Sequence, residues 1–131
     1  MRAPVLVVSA LLVLLPVACH KTPTYSPSEA AQRTDQLAKL RTEIYTLAEA
    51  HGCKAAAGCR VAGIGYNRCG GPRQHVVYCG AATDEVTLTR KIDELTKLEE
   101  EDAKHVSDPP PCKQAVAPAP ELAEGVCRAK L

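Results

Sequence analysis

The sequence predicts an α+β domain, ordered helix, β-hairpin, helix and Pro-rich C-terminal tail, braced by disulfides. Three observations lead there. Two segments carry leucines at spacings of three and four between clear helix boundaries, two short β-prone runs flank a Gly-Gly-Pro turn, and seven cysteines crowd into 131 residues. With no Phe, no Trp and four Tyr, the core must come from Leu, Ile, Val and Ala. Such a core is thin for a chain this short, so covalent bracing has a physical purpose.

The first element is a targeting segment. Arg2 provides a positive start, and Ala3 to Ala18 is an apolar run broken by Pro4, Ser9 and Pro16. It falls short of the roughly 20 residues a membrane-spanning helix needs. Leu15-Pro16-Val17-Ala18-Cys19 resembles the lipobox of bacterial lipoproteins, in which a small residue precedes a cysteine that is lipidated and becomes the mature N-terminus. Pro16 departs from that pattern, since the position three before the cysteine is usually Leu; ordinary signal cleavage after Ala18 is the alternative. Residues 1–18 are thus expected to be a signal peptide, 19–26 a tether and 27–131 one disulfide-rich domain. Cysteine parity supports lipidation of Cys19. An exported chain with seven cysteines has one to spare, and removing Cys19 leaves Cys53, Cys59, Cys69, Cys79, Cys112 and Cys127, an even set. Their pairing is open at this point. Several acyl chains would hold the mature protein firmly to a membrane.

The domain opens with a helix. Ser26 is a good N-cap, Pro27 stands at N1 where its missing N–H costs nothing, and Glu29 at N3 completes a capping box. Leu37, Leu40, Ile44, Leu47, Ala48 and His51 form one stripe, and Gly52 suits a left-handed C-cap, so the spacing predicts a helix over Pro27 to His51. Arg60 to Tyr66 mixes β-branched residues with glycines and reads as a strand. Cys69-Gly70-Gly71-Pro72 is a turn, and His75 to Cys79 is the returning strand. A second helix is expected from Asp84 to Lys104, capped by Thr83 or Asp84, with Leu88, Ile92, Leu95 and Leu98 as its seam. Glu94, Lys97, Glu100, Glu101 and Lys104 form a solvated outer face, with Lys97–Glu101 and Glu100–Lys104 at i,i+4. Pro109-Pro110-Pro111 cannot continue that helix. The Pro/Ala-rich tail beyond would be disordered by composition if Cys112 and Cys127 did not tie it down.

Several of these residues carry a resemblance. Cys59-Arg60-Val61, Gly65, Cys69-Gly70-Gly71-Pro72, Val77-Tyr78, an acidic helix, Ser107-Asp108, a Pro-rich stretch and Gly125-Val126-Cys127-Arg128 together resemble an uncharacterised group of secreted or lipid-anchored bacterial proteins with a CGGP turn. The match spans roughly residues 45 to 128. The sequence departs from the group at Arg73-Gln74-His75, at Cys79 and at Pro109. The changes at Cys79 and Pro109 shift the cysteine pattern, so the resemblance implies no particular pairing, and it implies no activity.

Chemistry is constrained mainly by what is missing. Sixteen basic and fifteen acidic residues are interleaved, and no Lys/Arg block offers the footprint nucleic acid requires. No C-x-x-C occurs, and His51 with Cys53 and Cys59 is a poor zinc pattern, so no metal and no cofactor are expected. His20, His51, His75 and His105 sit in unrelated contexts, and no catalytic constellation emerges. The expectation is a non-enzymatic binding or structural accessory module of the cell envelope, lipid-anchored to a membrane, with an envelope protein as its possible partner. Secreted or periplasmic residence is the alternative location. The contact surface is expected at the hairpin tip, on Arg68, Gly70, Gly71, Pro72, Arg73 and His75. The competing classes are an inhibitor of a secreted hydrolase, whose braced loop enters a cleft with little entropy to lose, and a thiol-disulfide enzyme using Cys69 or Cys79.

Overall fold

The computed structural model describes residues 25–106 and 111–130. The expected leader and Cys19 lie outside the described residues. The element order is α1 (Pro27–Leu47), a 3-10 turn (Ala56–Gly58), β1 (Cys59–Ile64), β2 (Gln74–Cys79), α2 (Glu85–Ala103), β3 (Pro120–Ala123) and β4 (Val126–Ala129). The fold is α+β, as the sequence predicts. No helix among the described residues is long and apolar enough to cross a membrane.

Helix α1 begins as its capping sequence dictates. The Ser26 hydroxyl accepts from the Glu29 N–H, and the Glu29 carboxylate accepts from the Ser26 N–H at 2.9 Å. Hydrogen bonds from the Ser26 side chain, then its backbone, hold the Glu29 carboxyl below its ordinary range. Ser26→Ala removes this reciprocal pair and should cost about 1 kcal/mol in urea unfolding, with an unchanged denaturant slope.

The helix ends at Leu47 rather than at His51. Both tertiary and local hydrogen bonds hold the departing chain. The Glu49 carbonyl accepts from the Cys79 N–H at 2.7 Å and the Ala50 carbonyl from the Cys127 N–H at 2.8 Å, while His51 bridges Val126. The His51 N–H, which a longer helix would direct to the Leu47 carbonyl, donates instead to Glu49 Oε1 at 2.8 Å, while the Glu49 N–H takes the Leu47 carbonyl at 2.9 Å. Gly52, at φ 93°, turns the chain into Cys53 and does not cap the helix. Helix α2 starts with Asp84 as N-cap, accepting from the Thr87 N–H at 3.1 Å. Its outer-face charges pair differently from the spacing. Lys104 meets Glu101 at 2.7 Å, while Lys91 crosses to Glu43 at 2.6 Å.

The two helices run antiparallel, as Arg33–Asp102 at 3.1 Å and Lys91–Glu43 at opposite ends of the seam require. β1 and β2 pair antiparallel, Cys59 opposite Cys79 and Ile64 opposite Gln74. Alternation along the strands divides the hairpin's two faces. Ile64 and Tyr78, with Ala62 and Val76, meet Leu40, Ile44, Leu88 and Leu95 of the helices. Cys59, Cys79 and Val77 meet Cys53, Cys127 and Leu122 on the other side. The hairpin is therefore a middle layer between the helix pair and the tail.

The tail is more ordered than its composition suggests. β3 and β4 form a second antiparallel hairpin, and Glu124 and Gly125 take φ 53° and 77° at its turn. Two consecutive positive φ values are the twist-matched turn that short hairpins favour. Three disulfides complete the frame: Cys53–Cys79, Cys59–Cys127 and Cys69–Cys112, with Cα separations of 5.5, 5.5 and 5.6 Å. Cys59 and Cys79 face one another across the hairpin, yet each bonds outward. One ties the hairpin to the tail and the other to the segment after α1.

Candidate functional site

The loop joining β1 to β2, residues 65–73, is held at both ends. Its first residue, Gly65, has φ 77°, and a Cβ there would lie 2.5 Å from Glu99 Oε2. Both the backbone sign and the space exclude a side chain. This close approach lets the Tyr66 N–H donate to Glu99 Oε2 at 2.8 Å. The Glu99 carboxylate is 5 % exposed and also binds the Arg41 guanidinium of α1, with Arg73 Nε at 3.8 Å. One buried carboxylate thus joins α1, α2 and both ends of the loop. Burying a charge is tolerable only with such compensation.

The far side of the loop is fastened to the tail. Asn67 Oδ1 accepts from the Cys69 N–H at 3.1 Å, and Asn67 Nδ2 donates to the Lys113 carbonyl at 2.7 Å. Gln114 Nε2 donates to the Cys69 carbonyl at 3.2 Å beside the Cys69–Cys112 bridge. Arg68 reaches the last turn of α2, donating to the Ala103 carbonyl at 3.5 Å. A cation there suits the negative end of a helix.

Between loop, helices and tail lies a cleft of about 400 Å³. Its charged lining is Arg41, Arg68, Arg73, Lys113, Glu99 and Asp102. Among the described residues four cations face two carboxylates, and both carboxylates are already engaged by arginines. Leu37, Val106 and Pro111 supply apolar wall. The size falls within the range of small-ligand sites, and the described lining carries more positive than negative charge.

The structure gathers some of the expected surface and separates the rest. Arg68 and Arg73 line the cleft. Gly70 and Gly71 are exposed at the tip with φ 88° and 74° and open space around them. Pro72 packs over Gly63, where a Cβ would come within 2.7 Å of its ring. His75 pairs with Gly63 in register. By strand alternation it lies on the face turned from the helices, away from the cleft. Glu99, Arg41, Asp102 and Lys113 were not anticipated. For Glu99 a signal exists: Leu88, Ile92, Leu95 and Glu99 follow at four, three and four, so a carboxylate continues the apolar seam.

The remaining chemistry-bearing groups stand elsewhere. His51 Nδ1 contacts Glu49 at 2.8 Å on the surface, and His105 stacks near Tyr25 with ring centroids 4.3 Å apart. The sulfurs of Cys53, Cys59 and Cys127 lie within 4.8 Å of one another. All three are bound in disulfides and offer no thiolate to a metal.

Fold and site together define a disulfide-braced α+β domain with a preformed basic cleft beside its hairpin loop. No family model matches the chain, and no curated protein or solved structure matches it.

Proposed function

We propose that this chain is an exported protein held to a membrane of the cell envelope through lipid on Cys19, and that its domain is a non-enzymatic binding module. The apolar leader ending in Ala18-Cys19 and the pairing of the other six cysteines support the first part. Three disulfides accord with an oxidising compartment. One observation carries the second part: a cleft whose described lining has four cations to two carboxylates, walled by a loop fastened through Glu99 on one side and Cys69–Cys112 on the other. A loop already fixed in place loses little entropy when a partner docks, which favours binding.

The test is site-specific cross-linking in cells producing the full chain. A photoreactive residue at position 71 or 113, at the tip and the cleft rim, should give a reproducible adduct with an envelope component. The same residue at position 90, on the outer face of α2, should give none. Adducts from position 90 alone, or from no position, would contradict a binding role for this face.

A further inference from the structure

The cleft and the chain's point of entry share a wall. Tyr25 lies directly ahead of the α1 cap, and its hydroxyl donates to Asp102 Oδ1 at 3.3 Å while accepting from Arg33 at 3.2 Å. Its ring packs against His105 and beneath the Arg33 guanidinium, whose Cζ is 5.6 Å from the ring centroid. The chain therefore enters at the C-terminal end of α2. Asp102, which fixes Tyr25, also lines the cleft, as does Val106, 48 % exposed, beyond it. Tyr25 stands six positions after Cys19. Fully extended, that stretch spans roughly 20 Å.

Charge points the same way. Arg41 and Arg73 are drawn to Glu99, which leaves Arg68 and Lys113 as the exposed cations of the described lining with no carboxylate beside them. Neither forms an ion pair among the described residues. An Arg fork beside a Lys point charge suits phosphate oxygens, and the apolar wall of Leu37, Val106 and Pro111 suits the glycerol and upper acyl carbons that follow a phosphate.

We infer that the cleft binds the phosphate of an anionic phospholipid in the same membrane that carries the anchor. Arg68 and Lys113 make the direct contacts, and Arg73, which also lines the cleft, adds its charge. Lipid on Cys19 supplies proximity, so the inference rests on the anchoring reading above. The docked cleft then fixes the domain's orientation on the bilayer, where a tether alone would leave it free to tumble.

The experiment uses the full mature chain carrying Cys19→Ser, so that its own lipid does not retain it. It should co-sediment with phosphatidylglycerol vesicles, more weakly as salt rises, and not with phosphatidylcholine vesicles. Arg68→Glu combined with Lys113→Glu should reduce that binding roughly tenfold or more. Arg90→Glu combined with Lys97→Glu, on the outer face of α2, should leave it within about twofold, since a contact confined to the cleft does not involve that face. Thermal melts of both double variants confirm that they fold. Equal binding to the two lipids, no binding, or equal loss in both double variants would overturn the inference. So would displacement by inorganic phosphate at concentrations comparable to the lipid phosphate, which would make a free anion the ligand. A protein adduct from position 71 or 113 together with no vesicle binding would sink the lipid ligand and leave the binding module intact.

Discussion

Replacing Cys59 and Cys127 together by alanine should lower the unfolding free energy by about 4 kcal/mol, read by guanidinium denaturation without reductant. This bridge spans 68 residues, the longest separation of the three. The loop-closure entropy it removes from the unfolded chain is correspondingly large. Two structural losses add to it. The β3–β4 hairpin has only four residues per strand, too few to persist alone in water. Its hold on the rest of the domain runs through Cys127, which is 2 % exposed, through the Cys127 N–H to Ala50 bond and through Leu122 against the cysteine cluster. Without the bridge the tail hairpin should exchange its amide hydrogens before the rest of the domain does. A change below about 1 kcal/mol would mean that the tail is held by packing, and the bracing account would be wrong.

Glu99→Ala should destabilise the domain by about 3 kcal/mol, the lower part of the range for breaking a buried ion pair, because Arg41 is 38 % exposed and can turn to water. Three groups lose their partner at once: the Tyr66 N–H, the Arg41 guanidinium and, more weakly, Arg73. Glu99→Gln separates the contributions, since an amide oxygen still accepts from the Tyr66 N–H while the charge is gone. It should fall between the parent and Glu99→Ala in urea midpoint. The amide of Tyr66 should lose exchange protection in the alanine variant and keep much of it in the glutamine variant. Equal stability for all three chains would show that Glu99 is not the clamp of the loop.

The fold was largely legible because its signals are local. Ser26-Pro27 with Glu29 determines where α1 starts, and the Leu88 to Leu98 seam determines which face of α2 is buried. Helix α1 stops four residues short of His51 for reasons its apolar stripe does not carry: the Glu49 side chain takes the His51 N–H, and the carbonyls of Glu49 and Ala50 accept from Cys79 and Cys127, distant in sequence. The tail hairpin was hidden for a similar cause. Its Glu124-Gly125 turn is weak beside the usual Asn-Gly or Asp-Gly, and the surrounding Pro/Ala composition suggests disorder. Half of the candidate site was readable, since a braced glycine turn with flanking arginines drew attention to Arg68 and Arg73. The cleft itself was not. It is assembled from α1, α2, the loop and the tail, and the Cys69–Cys112 bridge with the Asn67–Lys113 and Gln114–Cys69 hydrogen bonds brings Lys113 to the same cleft as Arg68. His75 shows the reverse failure, near the tip in sequence but on the opposite face of the strand.

The proposed anchor on Cys19 and the three bridges make one combined demand on the mature protein, and intact mass spectrometry of the chain purified from native envelope measures it directly. The expected species begins at Cys19, carries the added mass of acyl chains on that residue, and is six hydrogens lighter than its reduced form, two for each of three bridges. A chain that retains residues 1–18, begins at Cys19 without lipid, or carries an alkylatable thiol in the domain would contradict it.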